Sequence, residues 1–384
     1  MSRPTKMVIN LAHLRHNFAV AKRCAGKAQV MAVIKANGYG HGAVRIAQAL
    51  SHQGSTADAF AVASVDEALE LRAAGITRRI VLLEGFFDPA ELEIIAYERL
   101  DIVIHSEQQV QQLLVARFVG ELSSRTINVW LKIDTGMQRL GIPAEQAATV
   151  QQRLAASDNV GELRLMTHLA CADTPEHSAN QQQLDVFNQV RKQLPHKLLQ
   201  SDIETCIANS AALVALPTAM AAKAGDSKIL GDWVRPGIML YGANPLVNEH
   251  PIADDLLPVM TLSSRIISTR ILKPGDSTGY GKDWIADRPM RAGIVAIGYG
   301  DGYPRHAPTG TPVLVEGKPS RLLGRVSMDM LAVDLTDLPE YGEGDSVTLW
   351  GEGLPVWEVA SHASTIAYEL LAGVAERVAV EVLA

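Results

Sequence analysis

Eight short apolar runs, set at intervals along residues 30–241, constrain this chain more than any other feature. They are VMAVI (30–34), AFAVA (59–63), RIVLL (79–83), DIVI (101–104), NVWLK (128–132), LRLMT (163–167), ETCIA (204–208) and GIMLY (237–241). Helical patterns separate them. SVDEALELRAAG (64–75), for example, opens on a serine and two acids and closes on Gly75, the usual punctuation of a helix. Strands alternating with helices form right-handed units around a parallel sheet, and eight of them closing on themselves make a TIM (β/α)8 barrel.

After residue 241 the texture changes. VMTLSSRIISTRIL, GIVAIGYGDGY, TPVLVEG, LLGRVSMDMLAVDL and DSVTLWGE read as strands joined by Gly, Pro and Asp turns. One helix, WEVASHASTIAYELLAG (357–373), interrupts them. The fold class expected is therefore α/β, with an N-terminal TIM barrel over 1–243 and a mostly antiparallel β domain over 244–384.

A length of 384 residues also suits two domains better than one. The net charge of −7 without a concentrated basic run argues against nucleic acid or an anionic membrane surface as a partner. The N-terminus lacks the apolar run of a signal peptide, and no segment approaches the roughly 18 apolar residues of a membrane span. A cytoplasmic protein is expected. Cys24, Cys171 and Cys206 are far apart and form no C-x-x-C pair, so neither a disulfide framework nor a metal site is predicted.

The first run ends on Lys35, followed by a loop carrying Gly38, Gly40 and Gly42, with Tyr39 among them and a helix starting just beyond. A lysine at a strand end usually packs its stem and solvates its head. Here it sits at the C-terminal end of the first barrel strand, the face where barrels carry chemistry, beside glycines that let the backbone approach a ligand. An amine held partly away from water attacks carbonyls. Pyridoxal 5'-phosphate suits such a place, since it offers an aldehyde to the lysine and a phosphate to glycine loops and helix N-termini. ANSAA (208–212) follows the seventh run and RPGIMLYG (235–242) spans the eighth, which is where barrels commonly hold phosphate. Ser210 and the backbone of Gly237 and Ile238 have that location, although a helix N-cap and a turn would look the same.

VIKANGYGHG, LKIDTGMQRLG, MTHLACAD, NSAA, VRPGIMLYG, GYG, AIGYGDGYPR, GRVSMD and AYELL occur in order between residues 30 and 371. Together they resemble the alanine racemases, pyridoxal-phosphate isomerases built as a barrel followed by a β domain. The resemblance implies that Lys35 forms the Schiff base with the cofactor. It also implies that Tyr39, Asn209, Ser210, Tyr368, Gly237 and Ile238 hold the cofactor, and that Arg139 contacts its ring hydroxyl and the substrate carboxylate. Arg235 would face the pyridine nitrogen, where a group that keeps its proton leaves the nitrogen unprotonated. Lys132 matches a position that many members carry as a carbamate.

Racemisation needs acid–base groups on both faces of a planar carbon. By the same resemblance Lys35 serves one face and Tyr280 the other, with His168 tuning the site. Tyr280 would come from the second chain of a homodimer, together with Met328, whose backbone helps hold the substrate carboxylate. Tyr299 and Arg305 would line the entry and Asp173 its rim. Gly-Tyr-Gly occurs at 38–40, 279–281 and 298–300, so three turn tyrosines would divide phosphate binding, proton transfer and gating. The substrate expected is L- or D-alanine, with a D-alanine biosynthetic role supplying peptidoglycan precursors as one setting and catabolism as another. Two alternatives stand beside this one. A basic amino-acid decarboxylase shares the architecture but needs a carboxylate at the pyridine nitrogen, and a non-catalytic pyridoxal-phosphate-binding barrel would lack the β domain. AMAAKAGDSKILGDW (219–233) is longer and more polar than the resemblance leads one to expect.

Overall fold

The structure, a computed structural model, describes residues 3–52, 54–194, 203–220, 229–248 and 250–384. Most of the 219–233 segment falls outside them. Chain order gives β1 (Lys6–Asn10), β2 (Gln29–Val33), β3 (Ala59–Val62), β4 (Arg79–Leu82), β5 (Asp101–Ile104), β6 (Ile127–Asp134), β7 (Ile142–Pro143), β8 (Val160–Met166), β9 (Thr205–Asn209) and β10 (Trp233–Arg235). Eight of these pair in parallel in the order β5-β4-β3-β2-β10-β9-β8-β6, and β5 closes on β6. The barrel is complete. Helices such as Val65–Ala73 lie between successive strands, capped by Ser64 Oγ accepting from the Glu67 N–H.

The eighth strand is not the run predicted for it. Trp233–Arg235 pairs with β2 and β9, whereas Ile238–Tyr241 forms a 3-10 turn. Pro236 explains the shift, because it has no N–H to extend a ladder and offers only its carbonyl, which accepts from Val33 N–H at 3.0 Å. The apolar run GIMLY is buried as a turn rather than as a strand.

The second sheet comprises β11 (Met260–Leu272), β12 (Met290–Val295), β13 (Pro312–Val315), β14 (Lys318–Leu323), β15 (Leu331–Asp334), β16 (Ser346–Trp350) and β17 (Ala379–Leu383), together with β1. Its order is β12-β15-β14-β13-β16-β11-β1-β17, and β12 also pairs with β11. All ladders are antiparallel except β1 with β17. The first strand of the chain thus belongs to the second sheet, with Lys6 opposite Ser263. The helix predicted over 357–373 is two, Val356–His362 and Ala367–Ala372, broken at Ser364 with φ +53°. That break sets Tyr368 at the start of the second.

The barrel's N-terminal end is closed by an aromatic and ionic plug. The Arg164 guanidinium lies 5.0 Å from the Trp130 ring and 5.8 Å from Trp233, and the two indoles meet edge to face at 5.4 Å. Glu162 and Glu204 pair with Arg164, while Trp130 Nε1 donates to Asp101. Function is left to the opposite end.

Candidate active site

A cavity of about 660 Å³ opens at the C-terminal ends of the barrel strands. Lys35, Tyr39, Lys132, Arg139, His168, Asn209, Ser210, Arg235, Gly237, Ile238 and Tyr368 all line it, drawn from five strand ends and the last helix. The one carboxylate among its lining residues is Glu84. Four cations against one anion leave the cavity strongly positive, as a site for an anionic ligand must be.

Lys35 stands two residues past β2, at the head of a turn running to Tyr39. Sequence reasoning predicts a glycine loop here, and the structure shows something more constrained. Ala36, Asn37, Gly38 and Tyr39 have φ of +51°, +51°, +62° and +52°, a left-handed turn in which only Gly38 is free of a Cβ penalty. Side chains hold it. Glu67 accepts from the Ala36 and Ala63 N–H groups at 2.7 and 2.6 Å, and Asn37 Oδ1 accepts from the Ala43 N–H at 2.9 Å.

Across the cavity, β9 ends at Asn209, whose Oδ1 caps the helix Ser210–Met220 by accepting from the Ala212 N–H. Ser210 Oγ accepts from Gly237 N–H at 2.8 Å and Met239 N–H at 3.4 Å, tying that helix start to the turn after β10. A Cβ on Gly237 would lie 2.6 Å from Tyr39 Oη, so only glycine leaves the pocket open. Tyr39 stacks on Tyr241 at 4.7 Å and tilts against Tyr368 at 5.8 Å. Burial first, and then the Asp173 charge, push the Tyr368 hydroxyl up to about 12, so it is a donor at neutral pH.

Arg235 is buried at the end of β10. Nη2 donates to Thr167 O at 2.8 Å and reaches His168 Nδ1 at 3.3 Å, while Nη1 donates to Cys206 O at 3.1 Å. Its Nε–H has no acceptor among the described residues. Burial, followed by the charges of Arg235, Lys132, Arg139 and Lys35, pushes His168 down to about 3. The same causes, in the order burial, Arg235, Arg139 and Lys35, bring Lys132 down to about 8.

Two supports escaped sequence reasoning. Gln183, on the helix Ser178–Gln193, donates to Thr135 Oγ1 and His168 O, both at 3.1 Å, and accepts from the Ala170 N–H. A glutamine on an amphipathic helix gives no signal in sequence. Asp301 is buried in the second sheet's domain between Arg3 and Arg377, and also accepts from the Gly298 N–H. The turn it anchors binds Met328 O through Gly300 N–H at 2.8 Å and Ser327 O through Tyr299 N–H at 3.0 Å.

Tyr280, Tyr299, Met328 and Arg305 do not line the Lys35 cavity of their own chain. Tyr280 is 69% exposed and Met328 53%. They lie in the β domain, and Asp173 is likewise exposed outside the cavity lining.

Comparison with known proteins places this geometry. The family model "Alanine racemase, N-terminal domain" matches residues 9–245, and "Alanine racemase, C-terminal domain" matches residues 259–382. The alanine racemase of Pseudomonas syringae pv. syringae is 49% identical over 368 residues, 96% of each chain, and that of Azoarcus sp. is 50% identical over 373 residues, 97% of each. Among solved structures, the biosynthetic alanine racemase of Pseudomonas aeruginosa superposes with a TM-score of 0.89 at 45% identity over the whole of both chains. The Bartonella henselae alanine racemase, solved with covalently bound pyridoxal phosphate, superposes at 0.86 with 27% identity over 99% of each. On the barrel, the second sheet and the full-length likeness together, the chain belongs to the alanine racemase family of amino-acid isomerases.

Proposed function

We propose that this chain interconverts L- and D-alanine with pyridoxal 5'-phosphate held on Lys35, as a homodimer whose two sites each draw on both chains. The observation that carries the reading is the cavity itself, in which Lys35, Lys132, Arg139 and Arg235 meet the helix start at Ser210 and the turn at Gly237, with one carboxylate nearby. The residues fit the cofactor. Ser210, the Gly237 and Ile238 backbone, Tyr39 and Tyr368 would hold the phosphate, and the pocket left open by Gly237 is where a Cβ would intrude. When bound, pyridoxal phosphate supplies an aldehyde carbon for an amine and a ring that draws electrons from the substrate's Cα.

The protein's residues do the rest. Lys35 Nζ would remove or return the Cα proton on one face. Tyr280 of a second copy does so on the other, and its exposure within one chain agrees with that use. Arg235, which keeps its own proton, would face the ring nitrogen and leave it without one, moderating electron withdrawal and suppressing side reactions. Neutral His168 adds no further charge beside it. Arg139 would bind the substrate carboxylate, helped by the Met328 backbone of the second copy, with Tyr299 and Arg305 at the entry.

An arginine where a decarboxylase needs a carboxylate argues against that alternative, and the presence of the second sheet argues against the single-barrel binder. Among the described residues no helix is long and apolar enough to cross a membrane. Incubation with L-alanine, read by chirality and by carbon dioxide release, tests the reading. Formation of D-alanine without gas release supports it; gas release or no change contradicts it.

A further inference from the structure

His41 lies outside the cavity lining and has no part in the chemistry above, yet it is fully buried beside it. Its Nδ1 is 3.0 Å from Gly38 O and 2.8 Å from Tyr39 O. Both partners are carbonyls and can only accept, so Nδ1 carries the proton and Nε2 is bare. Burial, which outweighs those two hydrogen bonds, holds the ring neutral by pushing it down to about 4, and the Arg45 charge acts in the same direction. Nε2 has no partner among the described residues, so the one hydrogen bond donor of the ring is spent on the turn.

The turn needs it. Tyr39 is a bulky residue at φ +52°, a conformation that persists only where its surroundings over-determine it. Glu67 and Asn37 fasten the start and middle of the turn, and His41 fastens its end, at the carbonyls of Gly38 and of Tyr39 itself. His41 also packs its ring on Tyr241 at 4.5 Å, and Tyr241 stacks on Tyr39. Tyr39 Oη in turn borders the space at Gly237. Donor and ring stack thus converge on the residue that walls the phosphate cradle.

We propose that His41 is a positioning residue for the cofactor site, fixing through its Nδ1–H the left-handed turn that aims Lys35 and Tyr39, and so setting the affinity for pyridoxal phosphate. This rests on the reading of the cavity given above and goes beyond it by assigning the affinity to a residue that touches no ligand.

Two amides of unequal length separate the donor from mere bulk. In His41→Asn the side-chain amide nitrogen falls near the place of Nδ1, and in His41→Gln it falls near that of Nε2. The full-length wild type and both variants are stripped of cofactor, melted, and titrated with pyridoxal phosphate by quenching of tryptophan fluorescence. The asparagine variant should bind close to wild type. The glutamine variant should bind about tenfold more weakly or worse, since without its donor the turn relaxes in the cofactor-free protein and binding must restore it at the cost of about one hydrogen bond. The melting points of the two cofactor-free variants should be alike. Equal affinity of both variants with wild type overturns the proposal, and so does an equal loss in both that tracks their melting. If the glutamine variant does not fold, the asparagine variant decides alone: a loss of about tenfold without a change in melting overturns the proposal and retained affinity supports it. Wild type that takes up no pyridoxal phosphate overturns the reading of the cavity, and the role of His41 with it.

Discussion

Arg235 Nη2 lies 3.3 Å from His168 Nδ1, and because a guanidinium only donates, the imidazole accepts there and carries its proton on Nε2. The pair has a pH consequence with a definite sign. His168 binds its proton in the unfolded chain near 6.5 but in the folded one only near 3. Its neutral burial therefore contributes stability fully above pH 6.5, and the contribution is lost as pH falls toward 3. The melting temperature of the cofactor-free protein should drop with acid across that window, and His168→Gln should flatten the drop. An unchanged slope in the variant would remove His168 from the balance.

Lys35→Ala should abolish the visible band of bound cofactor and nearly all racemisation. The motive is position: the lysine heads the strained turn at the mouth of the barrel. Borohydride treatment of wild type followed by peptide mapping locates the bond, and a label on Lys132 instead would show the assignment to be wrong.

Lys132 is predicted to take up carbon dioxide. Held down to about 8 by burial and by Arg235, Arg139 and Lys35, its amine is partly neutral in mild alkali. A neutral amine adds carbon dioxide and releases a proton, leaving an anion among those cations. Isotope-labelled bicarbonate should give a carbamate signal that Lys132→Ala lacks; a signal surviving in the variant contradicts the site.

Asp301→Asn removes the charge that Arg3 and Arg377 share. The carboxylate is 1% exposed but both arginines are more than a third exposed, so the variant should melt below wild type by less than the loss of a fully buried pair would cause. Because the same turn holds Tyr299 and Met328 in place, KM for alanine should rise more than the affinity for cofactor falls. An unaltered KM in a destabilised variant would mean that the clamp serves stability alone.

Much of this was legible in sequence for physical reasons. Barrel strands buried on both faces appear as continuous apolar runs, so seven of the eight runs coincide with strands, and Lys35 and the NSAA segment fall at the C-terminal ends of theirs. GIMLY misled because a buried 3-10 turn is as apolar as a strand, and the Pro236 before it decides the matter. β1 and β17 were not read as strands: β17 is an exposed edge strand that leaves little periodic signal, whereas β1 is seated between β11 and β17 with Met7 and Ile9 buried but is only five residues long and stands before the first barrel run. The bonds of Gln183 and Glu67 reach 15 and 31 residues along the chain to backbone groups, and that of His41 exists only because the chain folds back in a left-handed turn, so no local pattern announces them.

Tyr280→Phe removes one hydroxyl from an exposed side chain that does not line the Lys35 cavity of its own chain. Cofactor binding should survive, while exchange of the Cα hydrogen with solvent becomes confined to one enantiomer of alanine. Near wild-type exchange with both enantiomers would contradict the two-base scheme.

The central claim is that each site takes Lys35 from one chain and Tyr280 from another, and mixed dimers test it most directly. Homodimers of Lys35→Ala or of Tyr280→Phe carry a lesion in both sites. In a dimer of one chain of each, an isologous arrangement puts both lesions in one site and leaves the other intact. Unfolding and refolding the two inactive proteins together, with separable affinity tags to isolate the mixed species, should restore about half of the wild-type activity per dimer. Mixed dimers that form and remain as inactive as their parents would contradict the shared site.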